Sequence, residues 1–462
     1  MFVKSKLILA LLTAGAAFAA DVVVFNADGP GVGFNDPTPA TPVGGNPGTT
    51  VGQQALNVFE EAARRWGAKL VSTQPILIIA TFTPLSCTAT SAALGAAAPN
   101  WYYSNLPAAN GGKDLVPNTW YPAALAEKLT RVDVVIDPND PFEIFTLFNS
   151  RLGQPGCLQN SGWYYGLDNN EPLNRIDLLA VVLHEFGHGL GFTANPTSAG
   201  NGARFGGRPS IWEYQMLDVT TNKRWIDMTN AERAASARNN LNLVWTGKSV
   251  TNVIPSVLDP RLEVDTHGSS ALPSQEAFAS AFGPPVTKPV NGKLVAPADG
   301  GGVSPADGCE PFPLGANVAG NVVLVDRGNC TFVQKVLNAQ AAGATAVIIA
   351  NNAPGPLVPG GASTDVTIPS AGVTQAFGTA LRAANPAPNA ALRTSALTRI
   401  GTTAGYVRLY APLTFAGGSS VSHWDISATR NLLMEPFFTR DSGESVKHPD
   451  DLTLNLLRDI GW

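Results

Sequence analysis

The feature that most constrains this chain is a pair of histidines, His184 and His188, with Glu185 beside the first of them. An apolar run at 176–183 precedes them and is typical of a buried helix. Residues four apart lie on one face of a helix, so both imidazoles can reach the same metal ion. The carboxylate of Glu185 can then accept a proton from a zinc-activated water without being a main ligand. The pattern predicts a hydrolytic zinc site with Glu185 as general base. The alternative interpretation is two histidines satisfied in a core helix.

A hydrolytic zinc site needs a third protein ligand and an open position for water. In the contiguous pattern HExxHxxGxxH, Gly191 stands at the glycine, but the third ligand would fall on Ala194. Alanine cannot bind a metal, so the third ligand must come from elsewhere in the chain. The remaining histidines are His267, His423 and His448.

His423 is the best of these candidates. It lies in a Ser-His-Trp stretch, and Met434 with Pro436 follows shortly after, as in the methionine turn of the metzincins. With His184, His188 and the long insertion between the ligands, these residues resemble the leishmanolysin family. The resemblance implies an α+β, metzincin-like peptidase domain in which a twisted sheet lies over the active-site helix. It also implies that Met434 is apolar support beneath the zinc and not a ligand.

Alternatives to His423 come from three other residues. Glu213 would be the third ligand in a site that uses a glutamate from a later helix, although its spacing to Asp218 misses the usual Glu-x-x-x-Asp pattern by one residue. His448 precedes a proline near the C-terminal helix and is interpreted as a surface residue. His267 lies in a polar turn and is interpreted as a solvated histidine.

The insertion has motifs of its own. Asp307-Gly-Cys309 is followed by a strand–helix–strand rhythm at 322–326, 332–342 and 346–350. These blocks resemble a protease-associated domain, a small non-catalytic α/β module, over residues 262–410. The resemblance implies substrate contact or lid behaviour and no chemistry.

The N-terminus is typical of a secretory signal peptide. Lys4 and Lys6 precede a short apolar run, and Ala17 and Ala19 form a small-x-small cleavage signal, so we expect cleavage near Ala19 or Ala20 and a secreted protein. Between this segment and the insertion, the alternation over 131–137 predicts a strand. The predicted domains are 1–20 signal peptide, 21–261 N-terminal part of the peptidase domain, 262–410 inserted domain, and 411–462 C-terminal part with the third ligand.

The four cysteines predict two disulfide bonds, which export permits. Cys309 and Cys330 both lie in the inserted domain and are expected to pair, which leaves Cys87 with Cys157. Of the three connectivities that four cysteines allow, this one keeps each bond within one domain.

Composition limits the partners. The 462 residues have a net charge of −5 and no basic region typical of nucleic-acid binding. No stretch after the signal peptide is apolar over the ~18 residues that a membrane span requires. We therefore expect polypeptide substrates, no nucleic acid and no membrane span; the oligomeric state is not indicated.

Taken together, these residues predict a secreted zinc metalloendopeptidase with one catalytic Zn²⁺ held by His184, His188 and His423. A calcium ion is compatible with the chain, but the sequence indicates no position for one. The alternative from another class is a catalytically silent, secreted protein-binding protein whose zinc site is structural or lost. Ala194 favours that alternative, whereas Glu185 opposes it, because a structural zinc site fills its fourth position with a ligand.

Overall fold

The computed structural model of the protein describes residues 19–439 and 442–462. The predicted signal peptide therefore lies almost wholly outside the described residues. The chain forms two compact units. We call Asp259–Ile400 the inserted unit, and we call the remainder, which ends at Leu258 and resumes from Gly401 to Trp462, the histidine unit. The predicted domain at 262–410 covers most of the inserted unit and extends into the histidine unit.

Eight α-helices are present among the described residues. In chain order they are α1 Val51–Gly67, α2 Ala123–Thr130, α3 Leu178–Gly189, α4 Asn230–Ser236, α5 Lys248–Val257, α6 Phe332–Ala341, α7 Gln375–Ala383 and α8 Thr453–Ile460. No helix in this part of the chain is both long enough and apolar enough to cross a membrane.

The strands of the same residues are mostly short. In chain order they are β1 Val22–Asn26, β2 Ile76–Thr83, β3 Gly95–Pro99, β4 Tyr102–Tyr103, β5 Tyr121–Pro122, β6 Ile144–Asn149, β7 Gly162–Tyr164, β8 Arg175–Asp177, β9 Met216–Asp218, β10 Lys223–Arg224, β11 Leu243–Trp245, β12 Pro260–His267, β13 Gln275–Glu276, β14 Phe278–Ala279, β15 Val290–Val295, β16 Val322–Asp326, β17 Ala346–Ala350, β18 Ser370–Val373, β19 Asn389–Arg399, β20 Thr402–Thr403 and β21 Tyr406–Arg408.

The histidine unit is built around a four-stranded sheet in the order β1-β2-β6-β3. The first three strands are parallel, and β3 runs antiparallel to β6 at the edge. Helix α1 connects the parallel strands β1 and β2, as a parallel pair requires. An antiparallel sheet in the order β10-β9-β11-β21-β20 joins residues from before and after the insertion.

One apolar face of α1 holds the sheet and α3 together. Thr50 caps the helix by accepting a hydrogen bond from the Gln53 amide. Phe59, fully buried on that face, has its ring centroid 4.7 Å from that of Phe148 in β6 and 6.0 Å from that of Phe186 in α3. Burial of such a side chain stabilises the fold by about 1.5–3 kcal/mol. The core therefore holds α3 against the sheet.

The inserted unit contains one mixed sheet of eight strands in the order β13-β12-β19-β15-β16-β17-β18-β14. Its centre is parallel from β15 to β18. Helix α6 connects β16 with β17, as the strand–helix–strand rhythm predicts. Buried aliphatic residues on both faces of the parallel strands form its core.

The structure corrects two predictions about the fold. The predicted α+β class is wrong, because each main sheet contains a run of parallel strands, β1-β2-β6 in one unit and β15-β16-β17-β18 in the other, next to antiparallel strands. This is an α/β arrangement with mixed sheets. The predicted strand at 131–137 is absent. There, the carboxylate of Glu127 accepts hydrogen bonds from the amides of Val134 and Val135, which removes two donors that a strand would use.

Candidate metal centre

The helix α3 presents His184 and His188 at its C-terminal half. Asp177 begins the helix, since its Oδ1 accepts hydrogen bonds from the amides of Leu179 and Ala180 at 2.7 and 3.2 Å. The indole of Trp66 in α1 donates to the Leu183 carbonyl at 3.1 Å. The first contact caps the start of α3, and the second joins α3 to α1 one residue before His184.

Three histidines converge at this helix. The Nε2 atoms of His184 and His188 lie 3.0 Å apart, and each lies 3.2 Å from Nε2 of His423. Ligands about 2.0–2.1 Å from one tetrahedral zinc have this spacing, so the triangle fits a zinc ion. Among the described residues, this is the one potential metal cluster that contains histidine.

The hydrogen bonds behind each ring determine which nitrogen carries the proton. Each Nδ1 faces a backbone carbonyl oxygen, which can only accept, so each Nδ1 must donate. The three Nε2 atoms therefore turn unprotonated lone pairs toward one another, an arrangement that a cation stabilises. The carbonyl partners are Leu433 for His184 at 2.7 Å, Phe192 for His188 at 2.7 Å and Ser419 for His423 at 2.8 Å.

Burial keeps the imidazoles neutral, as metal ligation requires. It lowers the pKa of His184 to about 4 and the pKa of His188 to about 3. The pKa of His423 is also far below its ordinary value, because of burial and the two neighbouring imidazoles. At neutral pH no proton competes with a metal for the three Nε2 atoms.

Glu185 lies buried next to this cluster. Burial raises the pKa of its carboxyl to about 8. A Cβ at Gly95, the first residue of β3, would lie 2.8 Å from Glu185 Oε1, so only glycine leaves this carboxylate its present space. Glu185 and the three imidazoles line the same cleft.

The turn at 432–436, which contains Met434, packs against α3 beside the histidine cluster. Met434 is fully buried, and a Cβ on Gly187 would lie 2.8 Å from its sulfur, so the turn packs closely against α3 between the two histidines. The carboxylate of Asp451 accepts a hydrogen bond from the Leu433 amide at 2.7 Å. The carbonyl of that same Leu433 is the partner of His184, so Asp451 positions it.

His423 reaches the cluster through a segment after β21. The amide of Tyr410 donates to the His423 carbonyl at 2.9 Å. The hydroxyl of Ser422 accepts a hydrogen bond from the amide of Ala194 at 2.9 Å. Ala194 is thus a structural contact to the segment that carries His423 and takes no part in the cluster itself.

The structure places the other candidate ligands elsewhere. The carboxylate of Glu213 is occupied by Arg204 at 2.7 Å and by the hydroxyl of Thr197 at 2.6 Å, in a capping role. His448 is exposed and lies 2.8 Å from the Ser256 hydroxyl. His267 is the last residue of β12 in the inserted unit. The prediction that it lies in a turn is therefore wrong. None of the three belongs to the histidine cluster.

The cleft over the cluster has a volume of about 730 Å³. Residues 92–97, which include the start of the edge strand β3, form one wall, and residues 415–423 and 433–438 form much of the other. The acidic side chains that line this cleft, among the described residues, are Glu185 and Glu435.

The sequence analysis missed three acidic residues at or behind the site. For Glu435, the available signal was its position next to Met434. For Asp177 and Asp451, no spacing in the sequence gave a signal.

The structure contains both predicted disulfide bonds. Cys87 pairs with Cys157 in the histidine unit, and Cys309 pairs with Cys330 in the inserted unit. These two bonds account for all four cysteines of the sequence.

Comparison with known proteins gives matches over part of the chain. A family model described as "PA domain" matches residues 290–381, in the inserted unit. The probable lipoprotein aminopeptidase LpqL of Mycobacterium tuberculosis is 46% identical over 97 residues, or 20% of this chain and 18% of that protein. Leucine aminopeptidase 2 of Trichophyton rubrum is 33% identical over 118 residues, or 24% and 22%.

A solved structure, the zinc aminopeptidase BSAP from Bacillus subtilis, matches with 25% identity over 32% of this chain and 35% of that chain. Its TM-score of 0.24 is too low to assign the fold of the whole chain. The chain spans about a fifth of the length of the two curated aminopeptidases that it matches.

These matches correct the predicted family. The two curated relatives named above are aminopeptidases, and the family model that matches the chain is the PA domain, so the assignment to the leishmanolysin family is wrong. The metzincin-like description of the fold is wrong on the same grounds and is replaced by the α/β arrangement of two mixed sheets.

Proposed function

We propose that this protein is a zinc-dependent peptidase. Its metal ligands are His184, His188 and His423, and its general base is Glu185. The observation that carries the proposal is the convergence of three Nε2 lone pairs, each directed by a carbonyl oxygen behind its ring, beside a buried carboxylate. The names of the matched aminopeptidases, one of them a zinc enzyme, support the same class of reaction.

The donor set fits one zinc ion. Three neutral imidazoles leave a fourth position for water or substrate, as in catalytic and not in structural zinc sites. When bound, zinc supplies Lewis-acid chemistry at the scissile carbonyl and lowers the pKa of water. A second metal at this site would need additional ligands, and the described residues place no second group of potential ligands in the cleft. One zinc per chain is therefore the stoichiometry we propose.

The chain's own residues supply proton transfer and orientation. Glu185 accepts a proton from water at its carboxylate and delivers it to the nitrogen of the leaving amine. Glu185 would be held in its ionised form by a cation bound to the three imidazoles, despite its burial. Met434 and the Leu433 carbonyl keep the ligands in place, and neither takes part in the reaction.

Two modes of cleavage have separate support. Internal cleavage is favoured by the edge strand β3, whose free side can pair with an extended substrate along the cleft. Aminopeptidase activity is favoured by the names of the matched proteins. In that mode Glu435 is the acidic side chain in the cleft that can bind a free N-terminal ammonium.

A comparison of two substrates separates these modes. The full chain with one equivalent of zinc is incubated with an N-acetylated, internally quenched peptide and with leucine p-nitroanilide. Internal cleavage requires activity on the blocked peptide, whereas an aminopeptidase cleaves only the substrate with a free amine, and Glu435→Gln should then raise KM. Each activity should be lost with a chelator and return with zinc. A zinc-loaded protein inactive on both substrates and on casein would favour the silent binding protein instead.

The proposed location is outside the cytoplasm. The two disulfide bonds fit an oxidising compartment, and one of the matched proteins is named a lipoprotein.

A further inference from the structure

A second group of potential metal ligands lies in the inserted unit, away from the histidines. Asp299, Asp307 and Glu310 each offer a carboxylate oxygen, and these oxygens all lie within 4.8 Å of one another. The loop between β15 and β16 carries all three residues. It is closed by a hydrogen bond from the Asp299 amide to the Pro305 carbonyl at 3.0 Å.

Asp299 is buried without the partners that a carboxylate requires. Its residue is 6% exposed, and its Oδ1 has no hydrogen-bond partner. Its other oxygen receives one long bond of 3.4 Å from the Glu310 amide. Oε2 of Glu310 is also buried without a partner. Unsatisfied carboxylate oxygens are costly to bury, so two of them in a cluster of three carboxylates favour a bound cation.

The charges near the cluster leave room for a divalent ion. The buried ammonium of Lys335 donates to the carbonyls of Asp307 and Gly328, each at 2.7 Å. Three carboxylates and this one ammonium sum to a charge of about −2.

Neighbouring groups hold two of the acidic side chains in position. Asp307 accepts hydrogen bonds from the Cys309 amide at 2.9 Å and from the side chain of Asn329 at 2.5 Å. A Cβ at Gly302, where φ is +78°, would lie 2.2 Å from Oε1 of Glu310, so the backbone passes directly over this carboxylate. Such partners orient ligands in metal sites.

The sequence spacing is that of part of a calcium loop. Asp299, Asp307 and Glu310 are the first, ninth and twelfth residues of a twelve-residue stretch, positions that bind calcium in EF-hands. Gly301 and Val303 stand at the third and fifth positions, so the stretch is not an EF-hand. We infer that Asp299, Asp307 and Glu310 form a calcium-binding site in the inserted unit, completed by backbone oxygens or water.

Calcium titration of the full chain tests this site independently of peptidase activity. The protein is decalcified, given one equivalent of zinc, and titrated with CaCl₂ and separately with MgCl₂ in a calorimeter. We expect one calcium per chain with a Kd between about 10⁻⁵ and 10⁻³ M, and magnesium binding at least ~10-fold weaker. Calcium should also raise the unfolding temperature, because it binds only the folded chain.

Three variants make the test specific. Asp299→Asn and Glu310→Gln should each weaken calcium binding at least ~10-fold and remove the thermal response, whereas Asp365→Asn, an exposed carboxylate of the same unit, should leave both unchanged. Glu310→Gln decides the test if Asp299→Asn does not fold. No calcium binding at 10 mM, equal affinity for magnesium, or unchanged binding by the two site variants would overturn the inference. Calcium binding should persist in Glu185→Gln, so failure of the peptidase proposal would leave this result intact.

Discussion

The Nε2 atoms of His188 and His423 lie 3.2 Å apart, although 235 positions separate the two residues in the sequence. The inserted unit accounts for most of this separation. Within that unit, the amide of Ile400 donates to the carbonyl of Asp259 at 2.9 Å, so its two ends are adjacent. An insertion whose ends are adjacent adds little closure entropy, which explains how two histidines so far apart in the sequence can meet.

His423→Ala tests the third ligand. Two imidazoles remain in the variant, and we expect zinc affinity to fall by at least ~100-fold, since even loss of a supporting group behind a ligand costs 10–100-fold. Zinc per chain is measured by elemental analysis after dialysis at fixed free zinc. His448→Ala is the matched control and should keep about one zinc, because its side chain is exposed and bonds Ser256. Equal zinc contents in the two variants would remove His423 from the site.

Glu185→Gln tests the general base. The amide has the shape of the carboxylate but cannot accept the proton, so we expect kcat to fall by at least ~100-fold with zinc content unchanged. Glu60→Gln, an exposed glutamate of α1, should have wild-type kcat. Steady-state kinetics on the substrate that the wild type cleaves, with zinc analysis of the same samples, gives the answer. A Glu185→Gln enzyme with near-normal turnover would assign proton transfer to another group.

The parts that sequence predicted are those with a regular spacing. The i, i+4 histidines on an apolar helix and the strand–helix–strand rhythm of the inserted unit both follow from periodicity, and the structure places them in α3 and in β16-α6-β17. The structure also brings His423 to the pair, while its role in zinc binding stays a prediction. The resemblance to the leishmanolysin family was wrong because it rested on a few short motifs, whereas the resemblance of the inserted unit to a protease-associated domain is confirmed by the family match.

The features that the sequence did not predict depend on particular side-chain contacts that only the folded chain makes. The alternation at 131–137 is typical of a strand, but Arg131 ends α2 with φ of +58° and the carboxylate of Glu127 takes up the amides that follow. Asp451 reaches the site only through the Leu433 amide. Asp299 lies in a stretch rich in Gly, Ala and Pro, and only the fold shows that its carboxylate lies beside those of Asp307 and Glu310.

Glu143 makes the stability of the histidine unit depend on pH. Burial raises its pKa from 4.5 to about 8, although its Oε2 accepts a hydrogen bond from the Leu77 amide. The folded chain therefore binds this proton more tightly than the unfolded chain does. The contribution of Glu143 is most favourable below pH 4.5 and declines as the pH rises toward 8.

Replacement by glutamine removes this decline. The free energy of unfolding of the wild type, relative to that of Glu143→Gln, should fall by more than about 1 kcal/mol between pH 5 and pH 8. Urea unfolding of both zinc-loaded proteins at several pH values measures the difference, and comparison between them cancels the pH dependence of zinc binding. Glu60→Gln should run parallel to the wild type. A constant difference between wild type and Glu143→Gln would show that Glu143 titrates normally.

Replacement of Asp259–Ile400 by a short Gly/Ser linker tests whether the histidine unit folds on its own. The adjacent ends of the inserted unit allow a short linker, and each unit has its own core and its own disulfide bond. We expect the shortened protein to fold, to bind one zinc and to cleave small peptides with kcat within ~10-fold of the full chain, since the described cleft residues all belong to the histidine unit. Circular dichroism, zinc analysis and peptide kinetics are measured in parallel, with the Glu185→Gln version as the inactive control. If folding and zinc are lost together, the inserted unit is part of the core that supports the site, and the two units cannot be treated as separate domains.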